Sequence, residues 1–416
     1  MIGLVAAYDN ALTINLINKF KPVEYAMRFC EICAGRDFYF IHRQNFLFPG
    51  RRERLYYDVV ACRACGFAFA VDIPDQSLLN EFYQDAEHHL HLDVPAKLEQ
   101  IYDDFFLFVK EQVAFSEDLR VLDIGSGVGH FLSRFKVSNV HDLRGIEPSL
   151  SAAKLARERY GIDVWTGTLD AFPEERPFGL VSLCGVLEHI ADLDAAVQRV
   201  AELVAEDGIL FVAVPDAAAF GTDLPTEAFL EFALEHINFF SATSLDNLLR
   251  KAGFEKVNVT SQYNDFYHNY YLLAVYRKTV NDSAVWVRDY VSATSLRRYV
   301  ALSKQRLRPL EHILEELRVS GESVVVWGAG SLTSRLFCDT CLGQLKLAGI
   351  IDRNPQLHGK VLQGVEISAP ESIVEHTDVV VLIASTTYSS EIRQSLANKY
   401  GWRGPVVSLG SEDIDR

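Results

Sequence analysis

Apolar positions set the frame of this chain. From Leu119 to about Tyr276, short apolar runs alternate with stretches in which apolar residues recur every three or four positions. Val121 to Ile124, Phe178 to Cys184 and Gly208 to Val214 read as buried strands, with a further apolar strand ending at Glu147. Leu193 to Val204 and Ser244 to Lys251 carry helical spacing, the second closing at Ala252-Gly253-Phe254, and Val257 to Thr260 with Tyr270 to Val275 predicts a final antiparallel pair. Such alternation predicts an α/β unit with a mainly parallel sheet covered by helices.

The flanks read differently. Before this unit, Tyr56 to Val60 and Phe67 to Val71 predict short strands in a segment running to about Asp75, and Leu98, Ile101, Phe105, Phe106 and Val109 predict a helical connector. After it, the polar run Arg277 to Ser283 marks a change of composition, and Val287 to Val319 has helical character. Ser323 to Gly330 is a buried strand with a Gly-Ala-Gly turn, Ile350 to Pro355 a second strand ending in Asp352, and Asp378 to Ile383 a third. These predict a smaller Rossmann-like unit. Its turn lacks a third glycine, which disfavours a bound dinucleotide and leaves binding of part of a nucleotide-linked substrate, or scaffolding. The expected domains are therefore 1–78, 79–280 and 281–416, in keeping with a length of 416 residues.

A net charge of −16 argues against a nucleic-acid partner, which needs clustered Lys and Arg. The aromatic run Tyr263, Phe266, Tyr267, Tyr270 and Tyr271 accordingly reads as sheet packing. Met1 to Met27 lacks a basic leader and a small-residue cleavage site, and no uncharged apolar stretch approaches ~20 residues, so a cytoplasmic protein without a membrane partner is expected.

Four of the seven cysteines form C-x2-C, 28 intervening residues, then C-x2-C-G: Cys30, Cys33, Cys62 and Cys65. Paired knuckles deliver four thiolates to one tetrahedral ion, so zinc is expected, with free thiols or a redox pair as alternatives. Metal binding would supply much of the folding free energy of a segment with so few apolar residues. Cys184, Cys338 and Cys341 read as small buried hydrophobes.

The sharpest chemical signal is Asp123-x-Gly125-Ser126-Gly127-x-Gly129 with Glu147 downstream. Glycines after a strand let the backbone turn and approach a ligand, a helix beginning near Val128 would aim its amides at that ligand, and an acid ending the next strand suits two ribose hydroxyls. An acid before the first glycine repels a pyrophosphate and suits a cationic amino-acid moiety. These residues resemble the class I S-adenosylmethionine-dependent methyltransferases. The resemblance implies S-adenosylmethionine as cofactor, held by Asp123, Gly125, Ser126, Gly127, Gly129, Glu147 and Pro148. Thr168 and Asp170 would lie near adenine, and Cys184, Val186 and Leu187 would line the methyl-donor pocket.

The three-part layout is similar to that of bacterial nucleotide-sugar C-methyltransferases. A nucleotide-linked deoxy-keto-sugar is then the implied small-molecule acceptor. Carbon methylation beside a ketone needs a base for the α-proton and a donor to the enolate oxygen. His236 is the candidate base, Glu235 its orienting group or a sugar contact, His189 the oxyanion donor, and Tyr83 a substrate-facing hydroxyl. His88, His89 and His91 read as solvated or packing residues. The chain departs from the family pattern: Ala233-Leu-Glu235-His236 stands where Tyr-x-Glu-His is common, and Leu357-His-Gly359 where a Lys-rich segment is usual. O- or N-methylation of another small molecule therefore stays open, as does a non-enzymatic zinc-ribbon and Rossmann scaffold. The sequence leaves the oligomeric state undetermined.

Overall fold

The computed structural model describes residues 25–51, 53–74, 96–173, 176–224, 226–279, 285–385 and 388–409. The N-terminal unit contains β1 (Tyr25–Ala26), β2 (Phe38–Phe46), β3 (Leu55–Cys62), β4 (Ala68–Val71) and β5 (Ile73–Pro74). The connector expected from the apolar spacing is α1 (Ala96–Gln112).

The central unit then runs β6 (Arg120–Ile124), α2 (His130–Lys136), β7 (Asp142–Glu147), α3 (Leu150–Tyr160), β8 (Asp163–Thr166), β9 (Phe178–Cys184), α4 (Leu193–Leu203) and β10 (Val204–Pro215). It closes with β11 (Asn238–Phe239), α5 (Ala242–Lys251), β12 (Phe254–Asn264) and β13 (Asn269–Lys278). Seven strands order as β12-β13-β10-β9-β6-β7-β8. Only β13 runs antiparallel to its neighbours, in register Ile209 with Arg277 through Pro215 with Tyr271. Strands buried on both faces, such as Phe178-Gly-Leu-Val-Ser-Leu-Cys184, are what a helix-covered parallel sheet requires.

The C-terminal unit contains α6 (Ser292–Ser320), β14 (Ser323–Trp327), α7 (Ser331–Asp339), β15 (Lys346–Ile351), β16 (Val361–Leu362), β17 (Val365–Ser368), β18 (Val379–Ile383), α8 (Ser389–Asn398) and β19 (Val406–Ser408). Its six-stranded sheet orders as β16-β17-β15-β14-β18-β19 and is parallel except for the β16–β17 pair. The helix expected from Val287 starts at Ser292 instead. Residues just before it are held as a strap: Val287 and Asn247 exchange two hydrogen bonds, and the Asp289 amide donates to the Cys65 carbonyl at 2.7 Å.

The N-terminal sheet orders as β11-β4-β3-β2, so a strand from the central unit forms its edge. Its pleat splits side chains between two partners. Val60, Cys62, Phe67 and Phe69 pack into the apolar core with Leu122, Leu183, Leu245 and Phe240 of the central unit. Tyr57, Val59, Ala61, Ala68 and Ala70 face a second core with Leu296, Val324 and Leu336 of the C-terminal unit. Any metal contribution to this segment's folding is therefore joined by packing: β3 and β4 are largely buried, and period-two alternation feeds both cores.

Candidate active site and cysteine centre

The three loop glycines do different jobs. All have positive φ, at +71° for Gly125, +52° for Gly127 and +82° for Gly129. A Cβ on Gly125 would lie 2.6 Å from Val186 Cγ2, and one on Gly129 would lie 3.2 Å from both Ala156 and Ile162, so these two permit close packing of the loop. A Cβ on Gly127 would meet nothing within 4 Å; this glycine borders open space, where a ligand has room to approach the backbone. The helix α2 starts at His130, two residues beyond the expected Val128, because Gly129 in the left-handed region is its cap.

Glu147 closes the loop. Its Oε2 accepts from the Gly127 amide and its Oε1 from the Ser149 amide, both at 2.8 Å. Burial raises its pKa, and the two amides act against that shift. Asp123 is buried, accepts from Ser182 Oγ at 2.7 Å, and is pushed up to about 7 by burial, with the Ser182 bond opposing and the Glu147 charge assisting. The Gly167 amide donates to the Glu147 carbonyl at 3.1 Å, which brings the turn bearing exposed Thr168 and Asp170 alongside. Pro148 is exposed beside Glu147. Ser126 turns its side chain toward Gly145, Leu187 is fully buried in the shared core, and half-buried Cys184 ends β9 within electrostatic reach of Asp123, so of Cys184, Val186 and Leu187 it is Val186 that packs against the loop.

His189 and His236 meet across the same edge of the sheet, with ring centroids 5.0 Å apart. His189 Nδ1–H donates to the Glu235 carbonyl at 3.0 Å, and His236 Nδ1–H to the Glu231 carbonyl at 3.2 Å. Carbonyl acceptors at Nδ1 set both rings in the tautomer whose lone pair is on Nε2. Burial lowers His189 to about 4, so it is neutral at ordinary pH.

The sequence expects Glu235 to orient His236 or to contact the sugar. The tight turn from Ala233 to His236 places Glu231 there instead, with its carboxylate 4.0 Å from His236 Nδ1, while Glu235 contributes its backbone oxygen to His189. Tyr83, with His88, His89 and His91, lies outside the described residues. Sequence reasoning also passed over Glu188 and Glu231, both buried beside the histidines; burial pushes them up to about 8 and about 7. Glu188 had a signal, as a lone acid in the apolar turn Gly185-Val-Leu-Glu-His-Ile190, whereas Glu231 is recognised only in three dimensions.

The histidine-bearing loop is fastened to the cysteine unit. Arg28 donates to the Ile237 carbonyl at 3.0 Å and to Asn238 Oδ1 at 2.7 Å, the Ala70 amide donates to the Ile237 carbonyl at 2.8 Å, and Tyr57 Oη donates to the Ala233 carbonyl at 2.8 Å.

The four cysteines converge. Their Sγ atoms all lie within 4.8 Å of one another, with Cys30–Cys65 and Cys33–Cys62 at 3.4 Å. Four sulfurs around one zinc at ~2.3 Å stand roughly 3.8 Å apart, so the set fits a tetrahedral ion with small adjustments. Both knuckles fold alike. Cys30 O accepts from Ala34 and Cys62 O from Gly66, while Cys30 N donates to Gly35 O and Cys62 N to Phe67 O. Ala34 and Gly66 are both left-handed. A Cβ on Gly35 would press on Cys62 Sγ at 3.0 Å, and one on Gly66 would strike the Asp289 carbonyl at 1.9 Å. These glycines keep space for the sulfur cluster and for the strap.

Comparison with known proteins agrees with this geometry. Residues 89–259 match the family described as a methyltransferase domain, and residues 320–402 the family described as C2185-like, N-terminal. The C-methyltransferase NovU of Streptomyces niveus is 23% identical over 352 residues, covering 80% of this chain and 81% of that protein. A ubiquinone biosynthesis O-methyltransferase of Rhodopseudomonas palustris (strain TIE-1) is 33% identical over 102 residues, covering 23% of this chain and 40% of that protein. Among solved structures, the 1,6-didemethyltoxoflavin-N1-methyltransferase of Burkholderia thailandensis is 20% identical, covering 51% of this chain and 96% of that one at a TM-score of 0.39. With the open glycine turn, the acid at the end of the next strand and the matched family domain together, this chain is a class I S-adenosylmethionine-dependent methyltransferase.

Proposed function

We propose that this enzyme methylates a carbon beside the ketone of a nucleotide-linked deoxy-sugar. The observation that carries the reading is the similarity to a C-methyltransferase over 352 residues, 80% of this chain and 81% of that protein, a span longer than the central domain alone. S-adenosylmethionine, when bound at the Gly127 and Glu147 face, supplies a methyl group on a sulfonium.

The chain's residues then divide the work. His236 takes the α-proton on Nε2, held in the right tautomer by the Glu231 carbonyl. His189, neutral because buried, gives its Nδ1–H to the Glu235 carbonyl and so lines the site beside His236, 5.0 Å away between centroids, without donating to the enolate as expected from the sequence. The bound donor would transfer its methyl to the enolate carbon, leaving as the neutral thioether. Cys30, Cys33, Cys62 and Cys65 would hold zinc, whose tetrahedral site would stiffen the unit to which the His236 loop is fastened. The nucleotide portion of the acceptor extends toward the C-terminal unit.

A second reading, O-methylation of a small-molecule hydroxyl, is favoured by Ala233 in place of the family's tyrosine and by the similarity to an O-methyltransferase over 102 residues. Purified enzyme with methyl-labelled donor, offered nucleotide-linked keto-deoxysugars and their reduced counterparts, separates the two. Label in the keto-sugars alone supports carbon methylation. Label only in the reduced sugars refutes it.

A further inference from the structure

Glu188 has an unusual environment. It stands in the short turn Leu187–His189 directly after β9, and its side chain is 3% exposed. Oε2 has no hydrogen-bond partner among the described residues, and Oε1 lies 3.9 Å from His189 Nε2, beyond hydrogen-bond reach. Gly185 leaves its side free: a Cβ there would come within 3.7 Å of Oε1. The same turn places Val186 against Gly125 of the glycine loop, so Glu188 lies in the turn bordering the face proposed to hold the methyl donor.

The ionisable groups around it are Cys184 on β9, Tyr271 on β13, Glu231 and the two histidines, and no arginine or lysine pairs with it among the described residues. An ionised carboxylate would therefore sit in low dielectric without a counter-charge, which is costly. The neutral acid avoids that cost but brings an O–H that needs an acceptor, and buried donors are rarely left without one. Oε2 finds no protein partner among the described residues.

We infer that Glu188 is a catalytic hydrogen-bond donor that directs its carboxyl O–H at the acceptor's carbonyl oxygen, strengthening the bond as that oxygen gains enolate charge. The inference rests on the proposed carbon methylation. Burial, opposed by a hydrogen bond from its own amide and assisted by the neighbouring Glu231 charge, pushes Glu188 up to about 8, which agrees with a neutral acid at working pH. His236 keeps the proton it removes; Glu188 only shares its own. Glu188 would then be the donor of the oxyanion site, since His189 spends its N–H on the Glu235 carbonyl.

The test uses the full-length enzyme, a keto-sugar nucleotide that the wild type methylates, and the variants Glu188→Gln and Glu188→Ala. Methyl transfer is followed alongside solvent-deuterium exchange at the acceptor's α-carbon, with calorimetric binding of S-adenosylhomocysteine as the folding control. Glu188→Gln retains an N–H donor and should keep both rates within about tenfold, whereas Glu188→Ala should lose about 10²-fold or more in kcat with KM little changed. Equal rates for Glu188→Ala and wild type overturn the inference. So does a Glu188→Gln variant as slow as Glu188→Ala, since charge would then matter and not the proton; recovery of chelated wild type with a divalent cation would point to an ion held by Glu188, His189 and His236. If neither variant folds, the wild type still decides: its protonated-carboxyl infrared band should shift when the acceptor binds, and an unmoved band refutes the idea. A wild type that methylates only hydroxyl acceptors defeats the proposed function itself, and this inference with it.

Discussion

Tyr57 Oη donates to the Ala233 carbonyl at 2.8 Å, joining the sheet of the cysteine unit to the turn that carries Glu235 and His236. Tyr57 is fully buried, and burial raises its pKa well above the ordinary phenol range, so it acts as a neutral donor. Tyr57→Phe leaves that carbonyl with the His236 amide, at 3.1 Å, as its remaining donor. A loss of about 0.5–1.5 kcal/mol in stability is expected, with a fall in kcat and unchanged affinity for S-adenosylhomocysteine. Denaturant unfolding, steady-state kinetics and calorimetry check the three outcomes.

Glu147 binds two loop amides now and would share its oxygens with a ribose. Glu147→Ala should weaken donor binding by about 10- to 100-fold, on the scale of one charge-assisted hydrogen-bonded group. Gly125→Ala should be worse than Gly127→Ala for folding, because only the former drives a Cβ into Val186 at 2.6 Å. Calorimetric titration and thermal unfolding distinguish the two effects.

Asp123 supplies a pH dependence. Its folded-state value of about 7 lies above the ordinary carboxylate range because the group is buried. The folded protein therefore keeps a proton that the unfolded chain gives up between about pH 4 and 7, so this group costs stability as pH rises through that window and adds no further cost above it. The donor's ammonium prefers the ionised form. Binding should tighten up to about tenfold from pH 6 to pH 8, with a proton released, and Asp123→Asn should flatten the profile. Titrations in buffers of different ionisation enthalpy measure both quantities.

The cysteine centre should carry stability beyond its own unit, since Cys30, Cys62 and Cys65 pack into the same core as Leu122 and Leu245. Zinc, measured by elemental analysis, should be present near one equivalent. Its removal, or Cys62→Ser, should lower the unfolding temperature of the methyltransferase domain and slow turnover through the fastened histidine loop. A metal-free protein with unchanged unfolding and turnover would remove zinc from the account.

Much of this was legible in the sequence because the signals were local. The strand-turn-helix at Val121 to Gly129, the acid at Glu147 and the paired C-x2-C knuckles each depend on neighbours within a few residues. Relationships made by distant segments were not legible. Asn238 and Phe239 carry no mark that they would leave the central sheet to pair with Ala68 and Phe69. Glu231 reaches His236 only because the intervening turn is tight, and the nearer acid in the sequence, Glu235, proved to contribute its carbonyl to the other histidine. The strap before α6 read as helix because side-chain spacing does not reveal that Asn247 and Cys65 take its backbone groups.

The central claim is carbon methylation. Enzyme, a nucleotide-linked keto-deoxysugar and donor carrying a ¹³C methyl group should yield a product whose labelled methyl is bonded to a ring carbon next to the ketone, read as a one-bond carbon–carbon coupling by NMR. A labelled methyl bonded to oxygen or nitrogen, with no such coupling, would contradict the account.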